Sequence, residues 1–209
     1  MSLEIDIQGL NIALNEANWL DLEFNSSSRL AVASFKVLTL PPESFPPEDS
    51  TVHISFYSVS RLVVIYKNGK WDDAKAEILL LNKEELPKIV QNFGGLPIYG
   101  WEFIQAVSDT SEAFKKVSFE FNANGKNAYK LRLFQASSSR YLELHLWFDD
   151  LTIKNLDSHN LPLEQFIAGG KRFWEAIHKK DFRVQGYGIH PLEEKNNRDK
   201  IIGTGTSDL

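Results

Sequence analysis

Hydrophobic and polar residues alternate with a period of two over several stretches of this chain. Four such stretches, residues 3–8, 19–24, 29–40 and 52–67, also contain many β-branched, aromatic or leucine residues. Successive side chains of a strand point to opposite faces of a sheet, so this period is typical of half-buried strands. The pattern therefore predicts a strand in each of the four stretches.

The same alternation returns in residues 117–134, which read VSFEFNANGKNAYKLRLF. Two alternating segments flank Asn124-Gly125 in the middle of this stretch. Asn-Gly favours the positive φ angles of a tight turn between paired strands. The sequence therefore predicts that the two segments form a β-hairpin.

A helical period replaces the alternation in two places. Residues 162–179 predict a long helix, because one apolar stripe runs along them and Pro162 lies in the first turn, where no N–H is needed. A shorter helix is predicted near 87–93, with Gly94 as its left-handed cap. Gly170 lies on the apolar stripe, and we expect it to let the long helix approach a sheet closely. The stripe consists of Leu163, Phe166, Ile167, Gly170, Phe173, Trp174 and Ile177.

Together these elements predict an α+β fold. We expect a mainly antiparallel β-sheet with the long C-terminal helix packed on it and the shorter helix near 87–93. A β-sandwich or barrel with peripheral helices is the alternative. The length of 209 residues and the hydrophobic content of 43% fit a single β-rich globular domain over residues 1–185. Residues 186–209 are polar and rich in glycine, which predicts a loosely ordered C-terminal tail.

Two segments of the chain, residues 51–104 and 130–177, are similar to each other. Each contains Ser-Arg, Trp, Asp-Asp, Leu-Pro, Gly-Gly and Trp-Glu-x-Ile in the same order. The residue before proline avoids the α region, so Leu86-Pro87 and Leu161-Pro162 both mark the start of a helix. The order of the matches predicts an internal duplication, and chance similarity is the alternative.

Charge and cysteine content narrow the classes of partner. The formal net charge is −5, so the chain lacks the basic excess that phosphate contacts require, and we expect no nucleic acid. The apolar runs are shorter than the roughly 18–20 residues that span a bilayer, and the N-terminus lacks the basic flank of a secretory signal. We therefore expect no membrane association. The absence of cysteine excludes disulfides and thiolate metal sites and suits a cytoplasmic protein.

Candidate chemistry concentrates in the predicted strand over residues 141–153. Leucines occupy one face of this strand, Glu143, His145 and Trp147 occupy the other, and Asp149 follows. Carboxylate and imidazole groups suit a divalent ion, but one strand supplies no ligands from elsewhere in the chain. We therefore interpret these four residues as a solvated polar face or a partner surface. No metal site, cofactor site or catalytic residue is predicted, since H-E-x-x-H, G-x-S-x-G and phosphate-loop motifs are absent.

Two pairs of adjacent acidic residues, Asp72-Asp73 and Asp149-Asp150, follow predicted strands. General acid and base catalysis needs two carboxyl groups that face each other with different pKa values. Adjacent residues of a strand point to opposite faces, so neither pair meets this requirement. We expect both pairs to be turn residues.

Three functions remain open from the sequence. We favour a non-enzymatic interaction protein, for example a cytosolic inhibitor or immunity-type protein that meets a basic partner with its acidic surface. The alternatives are a small-molecule-binding module with an aromatic-lined cavity and a carboxylate-dependent enzyme that uses Glu143, His145 and Asp149. A flat acidic patch or an exposed tryptophan favours the first function, a closed apolar cavity the second, and a titratable cluster in a cleft the third. The partner and the oligomeric state are not indicated.

Overall fold

The computed structural model describes residues 5–42, 48–70, 72–93, 98, 100–106, 114 and 116–184. Its strands, β1 to β11, span Asn18–Asn25, Leu30–Thr39, Glu48–Tyr57, Arg61–Asn68, Glu77–Ile78, Gly100–Gln105, Phe119–Asn122, Tyr129–Ala136, Arg140–Phe148, Asp150–Asn155 and Asn160–Leu161. Its helices, α1 to α3, span Ile7–Ala13, Leu86–Gln91 and Leu163–His178. These elements confirm the predicted α+β class, including the long C-terminal helix and the shorter helix.

The strands form two open antiparallel sheets. The five-stranded sheet has the order β1-β2-β3-β10-β11, and the six-stranded sheet has the order β5-β4-β9-β8-β6, with β7 also paired to β4. Neither sheet closes into a barrel. Buried residues of both sheets, of α1 and of α3 belong to one hydrophobic core. Each sheet therefore has an inner face toward this core and an outer face turned away from it.

Two adjacent crossings connect the sheets. The chain leaves the five-stranded sheet after β3 and joins the six-stranded sheet at β4, and it returns between β9 and β10. Because β3 pairs with β10 and β4 pairs with β9, the crossings lie side by side, and Asp149 N–H donates to the Tyr57 carbonyl at 3.1 Å. The sequence predicted one uninterrupted strand over residues 52–67. Ser58, with a φ of 55°, marks the break that divides it into β3 and β4.

Ile7 and Gln8 belong to the helix α1, so the strand predicted over residues 3–8 is wrong in its described part. The Asp6 side chain caps α1 by accepting the Gly9 N–H at 2.8 Å. Such a cap satisfies one of the backbone donors that have no partner at the start of a helix. Leu10 and Ala13 of α1 are buried in the core. The cap and this burial outweigh the short alternating pattern, which extends over too few residues to specify a strand.

The strands β7 and β8 do not pair with each other, so the hairpin predicted over residues 117–134 is wrong. β7 pairs with β4, and β8 lies between β9 and β6. Asn124 has the expected positive φ of 53°. However, Asn127 ties the connection to the crossing: its Nδ2 donates to the Ser58 carbonyl at 2.9 Å, and its Oδ1 accepts from Ser60 N–H and the Ser60 hydroxyl. Contacts between residues distant in sequence therefore determine which strands pair.

The apolar stripe correctly predicted α3, but the roles of its glycines differ from expectation. A Cβ on Gly170 would lie 2.6 Å from the Cα of Ala13 in α1, so this glycine faces a helix and not a sheet. A Cβ on Gly169 would overlap Thr39 of β2, and the Gly169 carbonyl accepts from Leu40 N–H at 3.2 Å. Gly170 therefore permits the close contact between helices, and Gly169 permits the close approach to the sheet.

The two halves of the predicted duplication share helix starts but differ in their strands. Leu86 is the first residue of α2, and Pro162 precedes the first residue of α3. Ser60-Arg61 lies at a crossing between sheets, whereas Ser139-Arg140 lies between β8 and β9, which are neighbours in one sheet. The duplication therefore stays a prediction. Parts of the sequence predictions lie outside the described residues, among them Trp71, Gly94-Gly95, residues 3–4 and residues 186–209.

Candidate functional site

Most of the candidate residues lie on the outer face of the six-stranded sheet. Glu143, His145 and Trp147 of β9 share this face, while the intervening leucines belong to the core, as the alternation predicts. Across the strands, β4 and β8 flank this row with residues in register. We call this outer surface the covered face. It comprises Arg61, Val63, Ile65, Lys130, Arg132, Phe134, Tyr141, Glu143, His145 and Trp147.

Glu143 is the centre of a hydrogen-bond network on the covered face. Its Oε1 accepts from His145 Nε2 at 2.8 Å and from Arg132 Nε at 3.1 Å, with Arg132 Nη2 at 3.0 Å. Its Oε2 accepts from the Tyr141 hydroxyl at 2.8 Å. An ionised carboxylate only accepts, so Nε2 of His145 carries the proton in this contact. These donors together stabilise a negative charge on a residue that is only 9% exposed.

The network keeps Glu143 ionised. Burial raises the pKa of Glu143, but hydrogen bonds from His145 and Tyr141 and the charges of His145 and Arg132 outweigh it and lower the pKa from 4.5 to about 2. Burial, followed by the contact with Glu143, raises the pKa of Tyr141 well above its ordinary value. At neutral pH the two groups are a carboxylate and a neutral phenol. A catalytic acid or base works best with a pKa near the working pH, which neither group has.

Aromatic and cationic side chains close the covered face. The Arg61 guanidinium lies 4.9 Å from the centre of the Trp147 ring system, and the Lys130 ammonium lies 4.6 Å from it. The Phe114 ring packs on His145 with 4.8 Å between ring centres. His145 is 1% exposed and Trp147 is 8% exposed. The solvated face expected for these side chains is therefore corrected to a buried one, because charged partners and aromatic rings replace water.

Asp149 lies apart from the network, at the crossing between β9 and β10. Its Oδ1 accepts from Ala128 N–H at 3.1 Å. Asp73 acts similarly and accepts from Lys75 N–H at 2.8 Å within a turn. The Asp73 contact, two positions along the chain, is the one expected of an acidic residue in a turn, whereas Asp149 contacts a residue 21 positions away. Within the described ranges, no group of three or more His, Asp and Glu side chains is arranged to hold a metal ion.

Sequence reasoning missed two members of the network, Tyr141 and Arg132. Tyr141 shares the face of Glu143 because the two residues are two positions apart on β9, so the period-two pattern could have identified it. Arg132 belongs to β8 and pairs with His145 across the strands. Only the register of β8 against β9 brings this guanidinium to Glu143.

The outer face of the five-stranded sheet has a different composition, and we call it the open face. Its centre on β2, β3 and β10 contains no acidic side chain, lysine or arginine; it consists of Val32, Ser34, Thr51, His53, Ser55, Tyr57 and Thr152. Charged side chains occupy its margin: Asp21, Glu23, Lys36, Asp150 and Lys154. Two hydrogen bonds link the strands across this face, Ser34 Oγ to His53 Nδ1 at 2.8 Å and Tyr57 Oη to Thr152 Oγ1 at 3.0 Å.

Comparisons of the chain with protein-family models, with curated proteins and with solved structures give no match. In the described part of the chain, no helix combines the length and the apolar character needed to cross a membrane. Inference about function therefore depends on the covered face, the open face and the surfaces beside them.

Proposed function

We propose that this chain is a non-enzymatic, cytoplasmic interaction protein that binds a protein partner of net positive charge through the open face. The observation that carries the proposal is the distribution of charge on that face. Its centre, with Val32, Ser34 and Ser55 on adjacent strands, contains no acidic side chain, lysine or arginine, and charged side chains surround this centre. Protein interfaces have the same arrangement, with few charged residues at the centre and a polar rim.

The open face is large enough to form the middle of an interface. Four strands about 4.8 Å apart, each contributing about six residues, give an area roughly 20 Å on a side. One side of a standard interface buries about 800 Å², so a partner also contacts the charged margin. The hydrogen bonds Ser34–His53 and Tyr57–Thr152 hold four side chains in place before binding. Fewer side chains then lose conformational freedom when the partner binds.

The side-chain types of the open face also suit protein recognition. Tyr57 is 39% exposed, and tyrosine offers a large amphipathic contact area with few rotatable bonds. Serine and threonine hydroxyls around it can donate or accept hydrogen bonds. This combination resembles the composition of antibody binding sites, which recognise flat protein surfaces.

Net charge indicates the chemistry of the partner, and cysteine content supports the cellular compartment. At −5, the chain attracts a positively charged protein over long distances, which accelerates association. The absence of cysteine suits a reducing compartment. The same net charge argues against a nucleic-acid partner.

The covered face argues against the enzyme alternative. Glu143 and His145 are close together, but His145 is 1% exposed and packs under Phe114. A substrate would have to displace this ring before it reached the imidazole. The low pKa of Glu143 likewise makes it a poor proton acceptor at neutral pH.

The test places a cation at the centre of the open face. Ser55→Arg should weaken binding about 100-fold, since a long charged side chain at the centre of an interface prevents close contact. Ser138→Arg adds the same charge in the exposed turn between β8 and β9 and serves as the matched control. A partner is first retained from cell extract on the wild-type protein, then purified and titrated against all three proteins.

The proposal expects Ser138→Arg to bind like the wild type and the affinity to fall with added salt. Hydrogen exchange of the complex should show new protection on β2, β3 and β10. Equal affinity of the wild type and Ser55→Arg contradicts the proposal, as does protection confined to other strands.

A further inference from the structure

At the edge of the covered face, two opposite charges in neighbouring positions do not pair with each other. Glu102 on β6 and Arg132 on β8 are direct cross-strand neighbours. Opposite charges in such positions usually attract each other. Here the Arg132 guanidinium turns to Glu143 on β9. Among the described residues Glu102 is exposed and has neither a hydrogen bond nor an ion pair.

A depression of about 480 Å³ lies beside this pair, and we call it the β6 shelf. Its floor includes the Phe134 ring. This ring can lie directly on the β6 backbone because Gly100 has no Cβ, which would otherwise overlap it. The volume lies in the range of small-molecule sites in proteins. The shelf is lined by Asn11, Gly100, Trp101, Glu102, Arg132 and Phe134.

The buried network holds the Arg132 side chain in position at the edge of the shelf. Nε and Nη2 of Arg132 contact Glu143, which is itself held by Tyr141 and His145. A guanidinium has five N–H groups, so Arg132 retains donors for a ligand after these contacts. Its side chain is 46% exposed, which leaves that edge accessible.

We propose that the β6 shelf binds a free α-amino acid with an aromatic side chain. The carboxylate of the ligand accepts from Arg132, its ammonium donates to Glu102, and its ring packs on Phe134, which shares this face of the sheet with both charged residues. A zwitterion provides both charges within a few ångströms, which matches two side chains that are cross-strand neighbours. The shelf lies on the six-stranded sheet, so this inference does not depend on partner binding at the open face.

The charges on the shelf predict which parts of the ligand matter. Ionised Glu143 offsets the charge of Arg132 but not the donor capacity of the guanidinium. Glu102 has no such compensation among the described residues. We therefore expect both ends of the ligand to contribute, and an analogue that lacks either end should bind more weakly.

The probe is L-phenylalanine, titrated into the whole chain by calorimetry. Wild type should show saturable binding below about 10 mM. Two analogues remove one charge each: 3-phenylpropionate lacks the ammonium, and phenethylamine lacks the carboxylate. Both should bind about 10-fold more weakly, because each loses one charge-assisted hydrogen-bond partner.

Variants of the shelf then test which side chain contacts which charged group of the ligand. Glu102→Gln should weaken phenylalanine binding about 10-fold and leave 3-phenylpropionate binding unchanged, since that analogue makes no contact with the lost charge. Arg132→Gln should weaken phenylalanine binding and leave phenethylamine binding unchanged. Lys67→Gln, on the same sheet but away from the shelf, should bind phenylalanine like the wild type.

Three results overturn the proposal. They are absence of saturable phenylalanine binding by the wild type, equal binding of phenylalanine and both analogues, and unchanged phenylalanine binding by Glu102→Gln. Arg132→Gln alters the buried network, so its thermal unfolding is measured alongside. The Glu102 side chain is exposed and makes no hydrogen bond or ion pair among the described residues, so Glu102→Gln provides the deciding result even if Arg132→Gln is unstable.

Discussion

The outer faces of the two sheets differ in the placement of charge. On the covered face, charged side chains lie at the centre, with Glu143 9% exposed. On the open face, uncharged Ser34 and Ser55 lie at the centre and charged residues lie at the margin. The comparison shows that a polar residue on the outer side of a strand is not necessarily a solvated residue. Exposure depends on which other side chains reach that face.

The physical reason is the cost of burying a charge. A carboxylate leaves water at a cost of several kcal/mol unless charged and hydrogen-bonding partners replace the water. Glu143 has such partners in Arg132, His145 and Tyr141. The hydroxyls of the open face need less compensation, because one hydrogen bond or one water molecule satisfies them.

The largest expected difference between the faces concerns their aromatic side chains. Trp147→Ala should reduce the free energy of unfolding by about 4 kcal/mol, because it leaves a cavity beneath Arg61 and Lys130. Tyr57→Ala on the open face should cost less than about 1 kcal/mol, since Tyr57 is 39% exposed. Urea melts of both variants measure the difference. If Tyr57→Ala costs as much as Trp147→Ala, the open face is covered too and the comparison fails.

Lowering the pH should reduce the free energy of unfolding through the covered face. The pKa of Glu143 is about 2 in the fold against 4.5 ordinarily, so the unfolded chain takes up a proton first as the pH falls. The associated stability is therefore complete above about pH 5 and is lost progressively toward pH 2, with a total of about 3 kcal/mol. The measurement is the free energy of unfolding between pH 7 and pH 2.

Glu143→Gln separates this effect from general acid denaturation. The variant should be less stable than the wild type at pH 7, and the difference should shrink as the pH falls. Thr152→Val on the open face should keep the acid dependence of the wild type. Parallel curves for wild type and Glu143→Gln would show that the network does not stabilise the carboxylate.

The smallest expected effect compares two tyrosine hydroxyls. Tyr141→Phe removes a donor from the buried Glu143 carboxylate and should cost about 2 kcal/mol. Tyr57→Phe removes the bond to Thr152, where water can replace it, and should cost less than about 0.5 kcal/mol. Thermal and urea unfolding of the two variants give a matched comparison. Equal reductions in the free energy of unfolding would mean that water reaches both hydroxyls similarly.

Part of the candidate site could be predicted from local pattern. The alternation along β9 correctly placed Glu143, His145 and Trp147 on one face, because successive side chains of any strand point to opposite sides. The apolar stripe predicted α3 for a similar reason, since the period of 3.6 is a local property of the helix. Neither pattern contains information about the side chains that cover the resulting face.

By itself, the sequence determined the type of most elements, though not of α1, together with the faces of β9 and the start of both later helices, because these depend on residues a few positions apart. Only the tertiary structure decided that β7 pairs with β4 and that Arg132 meets Glu143. The bond between Asn127 and Ser58, which are 69 residues apart, shows why. Such contacts depend on strand order and register, and many strand orders satisfy the same local patterns. The burial of the covered face and the exposure of the open face follow from the strand order and register of the folded chain.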